Sequence, residues 1–264
     1  MLTSYDYPFT RIMDAAGVDI ILVGDSAGVV VAGYDTTLPV TMDDMIYHTR
    51  AVRRADPKAL VVADMPFMSY QTGIEDACRN CGRMIKDGGA EAVKIEGGMN
   101  MAHVIRAVSQ IDIPVMAHIG LTPQSVHRMG GYKVQGRKEQ AERIMEDAYA
   151  VQSSGAFAVV LEGIPAKLAA EITAELTIPT IGIGAGPECD GQVLVYADLL
   201  GMGSGPRPRF VRRYAELGAQ ATKATAAFAA DVRSGAYPVE AETYPGSSEL
   251  EAALAAAIEE QATC

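Results

Sequence analysis

Four apolar runs in this chain end in a carboxylate. IILVGDS reaches Asp25, ALVVADMPF reaches Asp64, AVKIEGG reaches Glu96 and FAVVLEG reaches Glu162. A charge at the end of an apolar run is costly unless it is paired or holds a metal. Taken singly, such an acid could equally cap the helix that follows, a common use of Asp at a strand–helix turn. Four of them, each at the C-terminal end of a predicted strand, form the pattern of a (β/α)-barrel mouth with a hard-cation site and a carboxylate base.

The chain has 264 residues, the usual size of one (β/α)8 barrel. Its 49 % apolar content is enough to bury a full core. Short apolar runs predict strands at about 2–5, 20–24, 60–64, 92–96, 114–118, 157–162, 179–183 and 193–197. Amphipathic patterns predict helices at about 8–16, 42–54, 74–87, 100–109, 137–154, 165–175 and 208–232. Strand–helix alternation repeated this often implies a parallel sheet. The strands are continuously apolar, as expected when both faces are covered. Eight strand slots favour a closed α/β structure, a single-domain (β/α)8 TIM barrel, over an open doubly wound sheet. The barrel with its C-terminal helices is expected over 1–237. Residues 238–264 form an acidic tail, helical or mobile, with no catalytic role.

Within DGGAEAVKIEGG (87–98), Gly88 and Gly89 end a helix where a left-handed cap is needed. The strand that follows carries Lys94 and Glu96. Residues two apart on a strand share a face, so both point into the mouth if one does. The segment GLTPQSVHRMGGYKVQGR (120–137) is long for a strand–helix connection and carries four glycines. It reads as a lid or substrate wall, with a structural excursion or subunit contact as the alternative. The turn GIGAG (182–186) suits either phosphate or another close backbone approach.

A net charge of −11 argues against nucleic-acid binding, which needs clustered Lys and Arg. The local run Arg207, Arg209, Arg212 and Arg213 reads as a solvated helix face or subunit contact. No apolar stretch is long enough to span a membrane, and MLTSYDYPF has no secretory pattern. Four cysteines suit a reducing, cytoplasmic setting. Cys78 and Cys81 have C-x-x-C spacing but lie in a helical pattern without a second ligand pair, so neither zinc nor redox use is expected.

Asp25 and Asp64 end neighbouring strands and can reach one ion between them. Oxygen-only ligands select Mg2+ or a similar hard cation. Such an ion keeps open positions for an oxo acid and favours an enolate. Lys94 then neutralises a substrate carboxylate or oxyanion, or simply pairs with Glu96. Ser26 offers a hydroxyl and an N–H to a carboxylate, or caps a helix. Glu162, in an apolar wall, has the raised pKa of a general base, unless a Lys or Arg pairs with it. His118 lines the same pocket or is a hydrogen-bonded core residue. His48, His103 and His127 carry no such argument. The residues alone thus give a metal-dependent barrel that removes a proton beside the carbonyl of a small oxo acid.

The segments SYDYPFTRIMDAAGVDIILVGDSAGVVVAGYDTTLPVT (4–41), ADMPFMSY (63–70), VKIEGG (93–98), AHIGLTPQSV (117–126), GGYKVQGR (130–137), VVLEGIP (159–165) and PTIGIGAG (179–186) closely resemble the ketopantoate hydroxymethyltransferase family, up to about Tyr237. The resemblance implies a Mg2+-dependent (β/α)8 barrel like those of phosphoenolpyruvate mutase and isocitrate lyase. It implies transfer of a one-carbon unit from 5,10-methylenetetrahydrofolate to 3-methyl-2-oxobutanoate, giving 2-dehydropantoate on the route to pantothenate and coenzyme A. By motif match Asp25 and Asp64 are direct metal ligands and Glu96 a third metal-associated acid. Asp25, Ser26, Asp64 and Lys94 contact the oxo acid, and Glu162 accepts the proton. A homo-oligomer is implied, a decamer of stacked pentameric rings. Family members usually carry a helix-containing segment before the first strand, whereas Met1 here stands at about that strand; its loss would weaken barrel closure or oligomer packing. GMGSGPRPRF (201–210) departs from the family at the pocket edge. The competing reading is a Mg2+-dependent oxo-acid lyase or mutase of the same barrel group. Such enzymes typically carry a reactive cysteine in a mouth loop, which neither Cys78 nor Cys81 supplies. A barrel without catalysis is disfavoured because the five ionisable residues occur together.

Overall fold

The computed structural model describes residues 1–131, 133–137, 140–203, 207–244, 251–252 and 254–255. Eight strands form one parallel sheet in chain order. They are β1 (Leu2–Thr3), β2 (Ile20–Val23), β3 (Leu60–Asp64), β4 (Ala92–Glu96), β5 (Val115–Gly120), β6 (Ala158–Glu162), β7 (Thr180–Ile183) and β8 (Gly191–Gln192). Six helices connect the first seven: α1 (Tyr7–Ala15), α2 (Met42–Arg53), α3 (Ile74–Arg83), α4 (Ala102–Ser109), α5 (Gln140–Ser153) and α6 (Ala166–Glu175). The helix starts have local causes. Asp6 caps α1 by accepting the Phe9 N–H at 2.9 Å. Thr41 and Asp44 form a reciprocal capping box on α2. After α3 a wider turn, Met84–Gly88, closes on Gly89 at φ 81°, the left-handed cap that the Gly-Gly pair predicts.

Strand periodicity separates two apolar layers. Leu22, Val62, Ala92, Met116, Ala158, Val160, Ile181 and Val193 fill the barrel interior. Their odd-numbered neighbours, such as Val61, Val93, Val115 and Val159, pack outward into a second core with the helices. Alternate residues on a strand face opposite ways, so a strand apolar at every position serves both layers.

The barrel seam differs from expectation. The eighth strand is Gly191–Gln192, and Tyr196–Leu199, expected partly as strand, is a one-turn helix. Closure rests on three hydrogen bonds. The Met1 amino group donates to Gln192 O at 3.0 Å, Thr3 N to Leu194 O at 3.2 Å, and Tyr196 N to Thr3 Oγ1 at 3.0 Å. The apolar run Val193–Val195 crosses this seam with a single bridge, Leu2 to Leu194. No helix joins β7 to β8. A parallel connection normally needs a dozen or more residues, but β8 pairs only with Ile181 and Gly182, so the chain has little distance to retrace. The glycines of GIGAG serve that turn. Gly184 (φ 62°) lies against Phe210, and a Cβ on Gly186 would strike Ala166, so the close approach is chain to chain.

Cys78 and Cys81 both sit on α3 as free thiols. The basic run from Arg207 precedes the last helix and is not helical. The compact unit with the sheet runs from Met1 to Ala215. The second unit, from Glu216, contains α7 (Leu217–Ser234), capped by left-handed Gly235, with Phe228 and Tyr237 in edge-on ring contact at 5.3 Å. Most of the expected tail helix lies outside the described residues. Among the described residues no helix is long and apolar enough to cross a membrane.

Thr3 is 2 % exposed. Replacing it with Val leaves the Tyr196 N–H buried without an acceptor, at a cost of about 1–3 kcal/mol. Thr3→Val should therefore lower the urea midpoint at unchanged m; an unchanged midpoint would show that the seam does not depend on this bond.

Candidate active site

Above the interior apolar layer, the same inward-facing positions turn ionic. Asp64 pairs in register with Lys94, Glu96 with His118, and Gly120 with Glu162. The two-residue period takes β3 from Val62 to Asp64, β4 from Ala92 through Lys94 to Glu96, β5 from Met116 to His118 and β6 from Val160 to Glu162. Asp25 follows β2 by two residues. All seven residues expected from the sequence (Asp25, Ser26, Asp64, Lys94, Glu96, His118 and Glu162) line one cavity of about 110 Å³. Its floor is Leu22, Val160, Ile183 and Val193.

Neither aspartate caps a following helix. Asp64 Oδ2 accepts the Asp25 N–H at 3.0 Å, and Asp25 Oδ2 accepts from Gln124 Nε2 at 2.8 Å. Gly24 permits this approach, since a Cβ there would lie 2.6 Å from Ser26 Oγ and 3.5 Å from Asp64 Oδ2. Ser26 makes no side-chain cap; its hydroxyl meets Tyr5 Oη at 2.8 Å. Lys94 Nζ sits 2.9 Å from Asp64 Oδ1 and 3.9 Å from Glu96 Oε1, so its principal partner is Asp64. The nearest donor to Asp64 Oδ1 is thus the Lys94 ammonium, in a buried ion pair.

Charge balance decides the character of the site. Asp25, Asp64, Lys94 and Glu96 are each at least 93 % buried. Three carboxyl groups face one ammonium. Burial, then Asp64 and Glu96, push the Asp25 carboxyl well above its usual range. Burial raises Asp64 too, against the pull of Lys94. Burial resists the charge on Lys94, but Asp64, Glu96 and Asp25 outweigh it and raise its pKa. For Glu96 burial is outweighed by His118, Lys94 and the Gln124 N–H, and its pKa falls.

His118 is 2 % exposed and stands between two acids. Its Nε2 is 3.2 Å from Glu162 Oε2 and its Nδ1 is 3.5 Å from Glu96 Oε1. Burial and Lys94 resist a second ring proton, whereas Glu162 and Glu96 attract one, pushing the pKa up to about 9. The geometry pulls the other way. Lys94 Nζ lies 3.1 Å from Nδ1, a contact that is favourable only if Nδ1 accepts. We take the neutral ring with its proton on Nε2, facing Glu162, because two cations cannot share that distance without cost. Glu162 itself is not sealed in an apolar wall. Its side chain is 19 % exposed, and the ring beside it is His118, not a Lys or Arg.

Three participants escaped the sequence reading. Gln124 joins most of the site: its N–H donates to Glu96 Oε2 at 3.0 Å and its Nε2 also to Met65 O at 2.9 Å. Its Oε1 accepts from Tyr70 Oη at 2.7 Å. Tyr70, 1 % exposed, also contacts the Glu96 backbone. Thr37 lines the cavity with a buried hydroxyl that has no hydrogen-bond partner among the described residues. The signal for Gln124 and Tyr70 was their place just beyond strand ends that carry a site residue, His118 before LTPQSV and Asp64 before MPFMSY; a neutral side chain in a loop does not otherwise announce a buried role. The 120–137 segment is thus a wall of the site: Pro123 and Gln124 reach in, and Gln135 N anchors it to Gly163 O at 2.8 Å.

Residues 1–240 match the family model described as ketopantoate hydroxymethyltransferase. The chain belongs to that family, and is an enzyme of it. It is 70 % identical over 244 residues to the 3-methyl-2-oxobutanoate hydroxymethyltransferase of Pelobacter propionicus, covering 92 % of this chain and 91 % of the relative. It is 67 % identical to the protein of the same name from Trichlorobacter lovleyi, covering 92 % of each. Among solved structures it resembles 2,3-dimethylmalate lyase, a member of the PEP mutase/isocitrate lyase superfamily (TM-score 0.58, 18 % identity, 97 % of this chain and 92 % of that one). It also resembles phosphonopyruvate hydrolase in complex with oxalate and Mg2+ (TM-score 0.58, 12 % identity, 98 % and 91 %). These likenesses establish the barrel fold expected from the strand pattern.

Gln124→Leu removes the donor to Asp25 and the acceptor of Tyr70 together. The variant should lose about 1–3 kcal/mol of stability for each buried group left unpaired. Thermal unfolding within a degree of the parent protein would show that Gln124 does not hold the acids in place.

Proposed function

We propose that this enzyme transfers a hydroxymethyl group from 5,10-methylenetetrahydrofolate to 3-methyl-2-oxobutanoate, forming 2-dehydropantoate. The observation that carries the mechanism is one small cavity with an anionic rim, a single buried ammonium and an apolar floor. About 110 Å³ admits a small oxo acid but not a pterin, so the donor must approach from outside. The isopropyl group packs on Leu22, Val160, Ile183 and Val193, and the oxo-acid head faces Asp25, Ser26, Asp64 and Lys94.

The donor set fits a hard divalent cation. A buried cluster of three carboxyl groups facing one ammonium, with Asp25 held well above its usual range by burial and by Asp64 and Glu96, is what such an ion would relieve. Asp25 and Asp64 would hold it directly and Glu96 through water. Among the described residues no three His, Cys, Asp or Glu side chains converge with ligand spacing. Mg2+ needs only one or two carboxylates from the protein and keeps several waters. When bound, Mg2+ supplies Lewis acidity to the carboxylate and carbonyl oxygens of the oxo acid.

The remaining steps belong to side chains. Lys94 stabilises negative charge as it develops on the substrate oxygens. Glu162 takes the C3 proton, and the neutral Nε2–H of His118, 3.2 Å from Glu162 Oε2, orients that carboxylate. The C3 carbanion equivalent attacks the methylene carbon of the folate iminium; water then replaces the folate nitrogen on that carbon, the C–N bond breaking to release tetrahydrofolate and leave the hydroxymethyl group. The lyase or mutase alternative shares the fold but not the sequence family, and no cysteine lines this cavity. The same reading includes a cytoplasmic location and a homo-oligomer, decameric by family resemblance.

Glu162→Gln should slow C3 deuterium exchange of 3-methyl-2-oxobutanoate by about a hundred- to ten-thousand-fold, while the oxo acid still binds. Exchange at the parent rate would remove Glu162 from the role of base. Mg2+ at a hundred times its Kd should stabilise the protein by about 2.7 kcal/mol, seen as a raised Tm. Asp64→Ala should abolish that shift; an Asp64→Ala variant stabilised as strongly as the parent would place the ion elsewhere.

A further inference from the structure

A second cavity, of about 420 Å³, lies against the first. Three segments pass from one to the other. Glu96 lines the reaction cavity, and Gly97 and Gly98 the second; His118 lines the first, and Ile119 and Gly120 the second; Pro123 lines the first and Thr122 the second. The outer cavity is bounded by the 120–137 segment and by α5.

Its charge is opposite to that of the chain. The protein carries 33 acidic and 22 basic Lys/Arg residues, yet Arg128, Lys133 and Arg143 line this cavity. Among the described residues none of the three has a carboxylate within ion-pair distance. Asp147 is one turn from Arg143 on α5 and would ordinarily pair with it. Instead its Oδ1 accepts the Met99 N–H at 2.7 Å, and its carboxylate is packed against Gly98, where a Cβ would collide with it. The acid is spent on holding the β4 loop, and the guanidinium of Arg143 is left for something else.

We propose that this cationic cavity seats the glutamate tail of the folate donor, its carboxylates meeting Arg128, Lys133 and Arg143 while the pterin end lies over Glu162. The proposal rests on the hydroxymethyltransferase reading and deepens it. A donor too large for the reaction cavity must lie along the rim, and a folate carries its reactive carbon at one end and its carboxylates at the other. Arginine forks match carboxylates with two parallel N–H···O bonds. All three side chains are solvent-exposed, so the attraction is screened by salt.

The test is steady-state kinetics with three donors: methylenetetrahydrofolate with one glutamate, the same with a polyglutamate chain, and the tetrahydropteroate form with none. In the parent enzyme KM should fall as glutamates are added, and this advantage should shrink as salt rises. In the triple variant Arg128→Gln, Lys133→Gln, Arg143→Gln, the KM for glutamylated donors should rise by about tenfold, equal to about 1.4 kcal/mol. The KM for the glutamate-free donor, the KM for 3-methyl-2-oxobutanoate and donor-free deuterium exchange should stay at parent values, the last also showing that the variant is folded. A parent enzyme indifferent to glutamate number, or a triple variant with unchanged KM for every donor, would overturn the tail seat while leaving the transferase reading intact. A parent enzyme that catalyses exchange but transfers from no donor would overturn both.

Discussion

Three buried carboxylates held around one buried ammonium set the terms for the rest of this structure. Lys94 can neutralise only part of Asp25, Asp64 and Glu96. Its closest approach, 2.9 Å, is to Asp64 Oδ1, with Glu96 Oε1 at 3.9 Å. A structural ion pair would be balanced, because unpaired buried charge is destabilising. An imbalance of this kind persists where a ligand of the opposite sign completes it. The neutral supports point the same way: Gln124, Tyr70 and Tyr5 fix the acids and Ser26 without adding charge of their own.

The barrel makes this imbalance tolerable by separating it from the core in a single strand step. Directly below Asp64, Lys94, His118 and Glu162 the next inward residues, Val62, Ala92, Met116 and Val160, are apolar, and outward-facing residues of the same strands are buried under helices. Ion, floor and core are thus alternate readings of the same strands. The weak point is the seam, where two-residue strands leave side-chain and terminal groups to complete the ladder.

Fold neighbours named as lyases and hydrolases share this barrel at 12–20 % identity, so the architecture does not choose among these chemistries. The choice lies in the residues at the strand ends and in what the loops add beside them. Here the loops add a second cavity, lined by Arg128, Lys133 and Arg143, beside the one that holds the acids, the division of charge on which the proposed seat for the donor rests.

By itself the sequence determined the parallel sheet, the strand ends that carry the acids, and the shared face of Lys94 and Glu96, because these follow from local periodicity and the cost of ending an apolar run in a charge. It also carried the family, through long collinear motifs. Only the tertiary structure decided which acid Lys94 pairs with, that His118 rather than an apolar wall adjoins Glu162, and that Gln124 joins Asp25 to Glu96 across 28 and 99 positions of chain. Those are distances between strands, and no local pattern encodes them. The eighth strand was misplaced for the same reason: the run Val193–Val195 is apolar because it crosses the seam, and whether it forms a ladder depends on how far β1, at the other end of the sheet, extends to meet it.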